Sequence, residues 1–171
     1  MKNLLLPDIY QQNIYTINYK KLKQDGIKCL LFDLDNTIAQ VNVKKPNKEV
    51  KLLFQKLEDM GFKVIILSNA LKHRLRPFKE ELNVDTSPLS CKPLSFKYKK
   101  IINLYNYKPE EIAAIGDQIY TDIKGANKMN ITSILVNPLS KKESIFTKYN
   151  RYKENKLFER NILLERGEYY E

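Results

Sequence analysis

Three short apolar runs in this chain stop abruptly at polar residues, and that pattern limits its possible folds more than any other feature. Lys28–Phe32 ends at Asp33, Lys63–Leu67 at Ser68, and Glu111–Ile115 at Gly116-Asp117. Apolar runs of this length without alternation mark strands buried on both faces, as in a parallel sheet. Helical patterns lie between them. Pro46–Met60 carries Val50, Leu53, Phe54 and Leu57 at helical spacing, with Gly61 just past its end. Further helices are expected from about Leu71 to Leu82, over Leu94–Tyr105 and over Ile119–Met129. Asn83–Thr86 reads as a short strand and Thr132–Val136 as a last one. Such alternation predicts an α/β fold: a three-layer, Rossmann-like arrangement with a central parallel sheet of about five strands. Helices cover both faces, and the crossovers are right-handed.

A length of 171 residues predicts a single domain, 1–171, with its core at 28–136 and helical flanks at 1–27 and 141–171. The apolar runs are too short to span a bilayer. The leucines of Met1–Asp8 stop at Pro7 with no small-residue cleavage site after them. The expected location is therefore the cytoplasm. Cys29 and Cys91 are expected as free thiols, and the single His73 excludes sites built from several histidines.

In open parallel sheets, ligands bind outside the carboxyl ends of the strands. Asp33, Ser68 and Asp117 each follow a strand, and Lys92 lies in the loop beyond the short one, so all four are expected on one rim. Asp33 and Asp35, at i and i+2 beside a buried strand, repel each other unless a cation balances them. With Asp117 and Asp122 close by, the cluster calls for a hard, oxygen-seeking ion such as Mg²⁺. Asp33 is placed to attack phosphorus and form an aspartyl-phosphate. Asp35 is placed to protonate the leaving oxygen and then to activate water. Ser68 and Lys92, with the backbone amides near Asn36 and Asn69, are candidates to bind phosphate oxygens. Thr37 reads as a loop-shaping residue.

Four segments in order carry a resemblance to a known family: Asp33-Leu34-Asp35-Asn36-Thr37, Leu67-Ser68-Asn69-Ala70, Cys91-Lys92-Pro93 and Gly116-Asp117-Gln118-Ile119-Tyr120-Thr121-Asp122. The chain resembles the haloacid dehalogenase superfamily of phosphohydrolases. The resemblance implies Asp33 as nucleophile and Asp35 as acid/base, with Ser68 and Lys92 as phosphate binders. It implies a metal site of Asp33, Asp117 and the Asp35 backbone carbonyl. Asp122 supports it, either as a ligand through water or by orienting Lys92. Dehalogenases lack the second aspartate, so by the resemblance Asp35 points to a phosphatase or, less often, a phosphomutase. The short gaps on either side of Ser68 leave no room for a cap domain, and an open site suits a bulky substrate.

Leu6-Pro7, Gly26-Ile27-Lys28, Ser68-Asn69, Lys92-Pro93 and Gly116-Asp117-Gln118 followed by Thr121-Asp122 resemble the YqeG-like branch of subfamily IIIA. That branch is similar to the mitochondrial-type phosphatidylglycerophosphatase. The resemblance thus implies a lipid phosphate such as phosphatidylglycerophosphate as substrate. The alternatives are a nucleotide or sugar phosphatase, or a basic RNA- or ribosome-associated module that keeps the fold.

The net charge of +10 favours anionic partners. Lys72–Lys108 holds nine Lys or Arg against three acidic residues, and Lys141–Arg160 seven against three. Both stretches are candidates for peripheral contact with an anionic membrane at its inner face, with Phe146, Tyr149, Tyr152, Leu157 and Phe158 at the interface. The competing reading packs a C-terminal helix onto the domain and leaves its lysines in solvent. The same charge accompanies a Lys-rich composition, and no nucleic-acid-binding motif is present, so nucleic acid is not expected as a partner.

Overall fold

The structure, a computed structural model, describes residues 3–140, 145–159 and 167–171, with side chains of the last helix from 148 to 158. Among these residues, six parallel strands form one sheet: β1 (Ile9–Gln11), β2 (Cys29–Phe32), β3 (Lys63–Leu67), β4 (Asp85–Ser87), β5 (Ile112–Gly116) and β6 (Thr132–Val136), in the order β1-β6-β5-β2-β3-β4. The helices are α1 (Tyr19–Gln24), α2 (Lys48–Asp59), α3 (Lys72–Leu82), α4 (Phe96–Tyr105), α5 (Lys124–Lys128) and α6 (Ile145–Glu159).

The three-layer α/β arrangement is as the sequence predicts, with two corrections. The sheet has six strands rather than five, because the N-terminal flank supplies an edge strand in place of a purely helical segment. Its three residues are too few to show a period. They are held from both sides: β1 pairs with β6, and the outer face of Tyr10 exchanges two 2.9 Å backbone hydrogen bonds with Tyr170. The expected helix Ile119–Met129 is broken into a π-helical turn, Ile119–Ile123, followed by α5.

Strand residues alternate between two cores. Leu30, Phe32, Val64, Ile66, Ala113 and Ile115 face α1, α2 and α3, where Phe54, Leu57, Leu75 and Phe78 are buried. Cys29, Leu31, Ile65, Leu67 and Ala114 face Tyr98 and Ile101 of α4 and Ala126 of α5. Helix α2 begins where the Asn47 side chain accepts the Val50 amide at 2.8 Å, a standard N-cap. Both cysteines are free thiols, and burial pushes the Cys29 thiol up to about 12, as befits a small core residue.

Only one helix, α2, separates β2 from β3, and only α3 separates β3 from β4, so no cap domain interrupts either gap. After β2 the chain runs outward to β3 and β4, then returns to the other side of β2 as β5. The carboxyl ends of β2 and β5 therefore form the topological switch point. No helix among the described residues is long and apolar enough to cross a membrane.

Candidate active site

The register of the sheet sets the site. Phe32 is paired with Ile115, and the Asp33 amide donates to the Ile115 carbonyl at 2.8 Å. Asp33 and Asp117 thus leave adjacent strand ends together. Lys92 reaches in from the loop after β4. Its Nζ lies 2.6 Å from Asp33 Oδ1, 2.6 Å from Asp122 Oδ1 and 2.8 Å from the Leu67 carbonyl oxygen. One ammonium group therefore joins the ends of β2 and β3 to the turn after β5. Carboxylate oxygens of Asp33, Asp117 and Asp122, all buried, fall within 4.8 Å of one another.

Three buried carboxylates at this spacing carry more negative charge than a desolvated site tolerates. Burial, reinforced by Asp122 and Asp35, pushes the Asp33 carboxyl up to about 7, although Lys92 pulls it down. Burial likewise holds Asp117 well above the usual carboxylate range, against the opposing pull of Arg151. Burial disfavours the charge on Lys92, but Asp122 and Asp33 outweigh it and keep the amine above the ordinary lysine range. An all-oxygen, anionic donor set with this surplus charge fits a hard divalent ion such as Mg²⁺.

The remaining residues singled out from the sequence take distinct places. Thr37 donates from Oγ1 to Asp117 Oδ1 at 3.3 Å. Ser68 is buried at the end of β3, and its Oγ accepts the Ala70 amide at 3.1 Å. Asn69 grips the lysine loop: its Oδ1 accepts the Lys92 amide at 2.8 Å and the Ser90 hydroxyl at 2.7 Å, and its Nδ2 donates to the Lys92 carbonyl at 3.3 Å. The Asn69 side-chain amide thus holds Lys92 in place. Asp35 is not part of the carboxylate cluster; its Oδ1 accepts from Arg74 Nε at 3.0 Å and from another Arg74 guanidinium nitrogen at 2.9 Å. The same guanidinium donates to the Val43 carbonyl at 2.7 Å and the Gln40 carbonyl at 3.3 Å, which ties the loop after Asp35 to α3. Asn36, between Asp35 and Thr37, has φ 64°, a left-handed conformation that asparagine tolerates better than most residues.

Asp122 comes this close because residue 116 is glycine. A Cβ there would lie 2.3–2.5 Å from Asp122 side-chain atoms, which Lys92 and the Gln118 amide already hold. Gly116→Ala is therefore expected to destabilise the protein by about 1–3 kcal/mol, read as a lower urea midpoint.

Two arginines absent from the sequence reading contribute. Arg74 holds Asp35. Arg151, from α6, contacts Asp117 through both its carboxylate and its backbone carbonyl. Their signal lay in residue choice: the chain has 25 lysines and only five arginines, and forked contacts to carboxylates need arginine. On α6, Tyr149 and Tyr152 are exposed as a membrane-facing reading requires, but Phe158 packs against Tyr10 with ring centroids 6.4 Å apart. Phe158 therefore belongs to the packed-helix reading, and the Phe146 side chain lies outside the described residues.

The chain is similar to known proteins in both sequence and fold. A family model for haloacid dehalogenase-like hydrolases matches residues 40–130. The chain is 31% identical over 159 residues to "Probable phosphatase YqeG" of Bacillus subtilis, covering 92% of this chain and 91% of that one. Among solved structures, it is similar to the cobalt-bound deoxy-D-mannose-octulosonate 8-phosphate phosphatase of Haemophilus influenzae (TM-score 0.55, 17% identity, 75% of this chain and 77% of that one). It is also similar to the 3-deoxy-D-manno-octulosonate 8-phosphate phosphatase of Moraxella catarrhalis solved with magnesium, phosphate and KDO (TM-score 0.56, 15% identity, 71% and 75%). At these identities the structural likeness speaks for the fold.

Proposed function

The chain belongs to the haloacid dehalogenase-like hydrolase family and is a phosphatase, and on that premise we propose that it hydrolyses phosphomonoesters through an aspartyl-phosphate on Asp33. The observation that carries this reading is the convergence of Asp33, Asp117 and Asp122 around Lys92 at the switch point. Asp33, Asp117 and the Asp35 backbone carbonyl would hold Mg²⁺, with Asp122 beside them. The ion would supply charge neutralisation and a clamp on phosphate oxygen.

The chain's own residues do the rest. An Asp33 carboxylate oxygen attacks phosphorus, and the bond from phosphorus to the ester oxygen breaks. Asp35 delivers a proton to that oxygen as it leaves. Water then attacks the aspartyl-phosphate, Asp35 takes its proton, and Asp33 is released with inorganic phosphate. Lys92 and Ser68 bind the non-bridging oxygens, where charge builds during transfer. Backbone amides near Asn36 and Asn69 join them, while the Asn69 and Thr37 side chains act one contact further out, on Lys92 and Asp117.

The substrate proposed is a bulky phosphomonoester on an anionic lipid, such as phosphatidylglycerophosphate. The support is the rim. Leu71, Leu89 and Leu94 are exposed on the two loops that carry Asn69 and Lys92, Phe96 is exposed at the start of α4, and the Leu89 amide donates to the Ala70 carbonyl at 3.0 Å, joining those loops. Exposed Lys72, Lys99 and Lys100 accompany them. Apolar side chains with interspersed cations suit a membrane interface. The test is phosphate release with Mg²⁺ from lipid, nucleotide, sugar and protein phosphates, combined with pelleting on anionic vesicles. Preference for the lipid substrate with vesicle binding is expected. No release from any of them would overturn the enzyme reading, and release without vesicle binding would overturn the lipid.

Metal binding should depend on pH in a defined direction. The folded, metal-free protein keeps a proton on Asp33 up to about 7, whereas the unfolded chain releases it near the ordinary carboxylate value. Its stability therefore falls as pH rises through that window, and an ion that replaces the proton is most stabilising above it. The rise in Tm on adding Mg²⁺ is expected to be larger at about pH 8 than at about pH 5.5; an equal rise at both would contradict the assignment.

A further inference from the structure

Helix α6 lies outside the four sequence segments that define the site, yet two of its residues reach into it. Arg151 holds Asp117 at both ends. One terminal nitrogen donates to the Asp117 backbone carbonyl at 2.7 Å, and the other pairs with Asp117 Oδ2. A planar guanidinium attached to the main chain and the carboxylate of the same residue fixes that residue's side-chain torsions. Asp117 Oδ1, which also accepts the Thr37 hydroxyl, is held separately. The nitrogen on the Asp117 carbonyl also donates to Glu154 Oε2 at 2.8 Å. Glu154, only 1% exposed, accepts the Ile119 amide at 2.7 Å and the Tyr120 amide at 3.3 Å through its other oxygen. Those amides open the π-helical turn that carries Asp122. A single Arg–Glu pair one helical turn apart thus braces both Asp117 and the segment bearing Asp122.

A buried carboxylate is expensive to bury unless it is paired and hydrogen-bonded. The fold places Glu154 there, whereas a neutral cap would serve a purely structural turn. We propose that Arg151 and Glu154 are positioning residues that set the affinity of the site for its divalent ion, making the last helix a working part of the site. This rests on the metal reading given above.

The test is a Mg²⁺ titration of the purified full chain, followed by thermal unfolding and, separately, by phosphate release. Arg151→Gln is expected to raise the Mg²⁺ concentration at half-maximal stabilisation by roughly tenfold to a hundredfold. The Mg²⁺ concentration that gives half-maximal phosphate release is expected to rise in parallel. Arg151→Lys keeps the charge but loses the fork, so a smaller weakening in the same direction is expected. A merely structural role would lower the metal-free Tm and leave the titration midpoint in place. A midpoint unchanged or shifted to lower Mg²⁺ overturns the inference, and Arg151→Lys alone decides if the glutamine variant does not fold. A wild-type protein whose Tm does not respond to Mg²⁺ overturns the metal reading itself, and this inference with it.

Discussion

Replacing Asp33 with asparagine is expected to lower kcat by a factor on the order of 10⁴ or more, because the amide cannot serve as the attacking group. Stability is expected to move differently. Asp33 is buried, and its carboxyl is pushed up to about 7, so near pH 8 the wild-type protein keeps a charge where burial opposes it. Asparagine removes that charge at nearly constant volume. Lys92 still has Asp122 at 2.6 Å and the Leu67 carbonyl at 2.8 Å. Tm near pH 8 is therefore expected to equal or exceed that of wild type, and the response to Mg²⁺ to shrink. Lost turnover with undiminished stability is the signature of a residue kept for chemistry. A variant that keeps its turnover would remove Asp33 from the mechanism, whatever its Tm.

Lys92→Met is expected to show the opposite balance. Methionine fills much of the lysine's volume but leaves Asp33 and Asp122 without the cation between them. Breaking a buried pair from one side typically costs about 3–5 kcal/mol. The pull that Lys92 exerts on Asp33 is then gone, so the Asp33 carboxyl shifts further up. A raised carboxyl favours the folded state at low pH and penalises it as pH rises. The loss in urea stability is therefore expected to be larger near pH 8 than near pH 5.5, and activity to be lost at both. An equal loss at the two pH values would mean that the destabilisation comes from packing rather than charge.

Much of this was legible in the sequence because the dominant signals are local. Four of the strands are runs of apolar residues, and the residues ending three of them stand at one sheet edge. Asp33, Lys92, Asp117 and Asp122 do meet. What was hidden depends on length or on distance. The three residues of β1 carry no period and exist only because β6 and Tyr170 hold them. The π-helical turn carries Asp122 against Gly116, a contact no spacing rule encodes. Arg74 lies 39 positions from Asp35 and Arg151 lies 34 from Asp117, so neither pairing shows in a linear reading. The hold of the Asn69 side chain on the Lys92 loop likewise spans 23 positions.

The position of Lys92, bonded at once to the ends of two strands and to the turn after a third, constrains how such a chain can diverge. The lysine cannot be the first to change, since its loss leaves Asp33 and Asp122 buried without their cation. Across a lineage, Lys92 is therefore expected to vary only where Asp33 or Asp122 has already changed. A descendant that gave up catalysis would have to replace the group in compensated steps. Any intermediate that lost the lysine first would pass through a poorly folding protein, a barrier that keeps the lysine in place even where selection for turnover is weak.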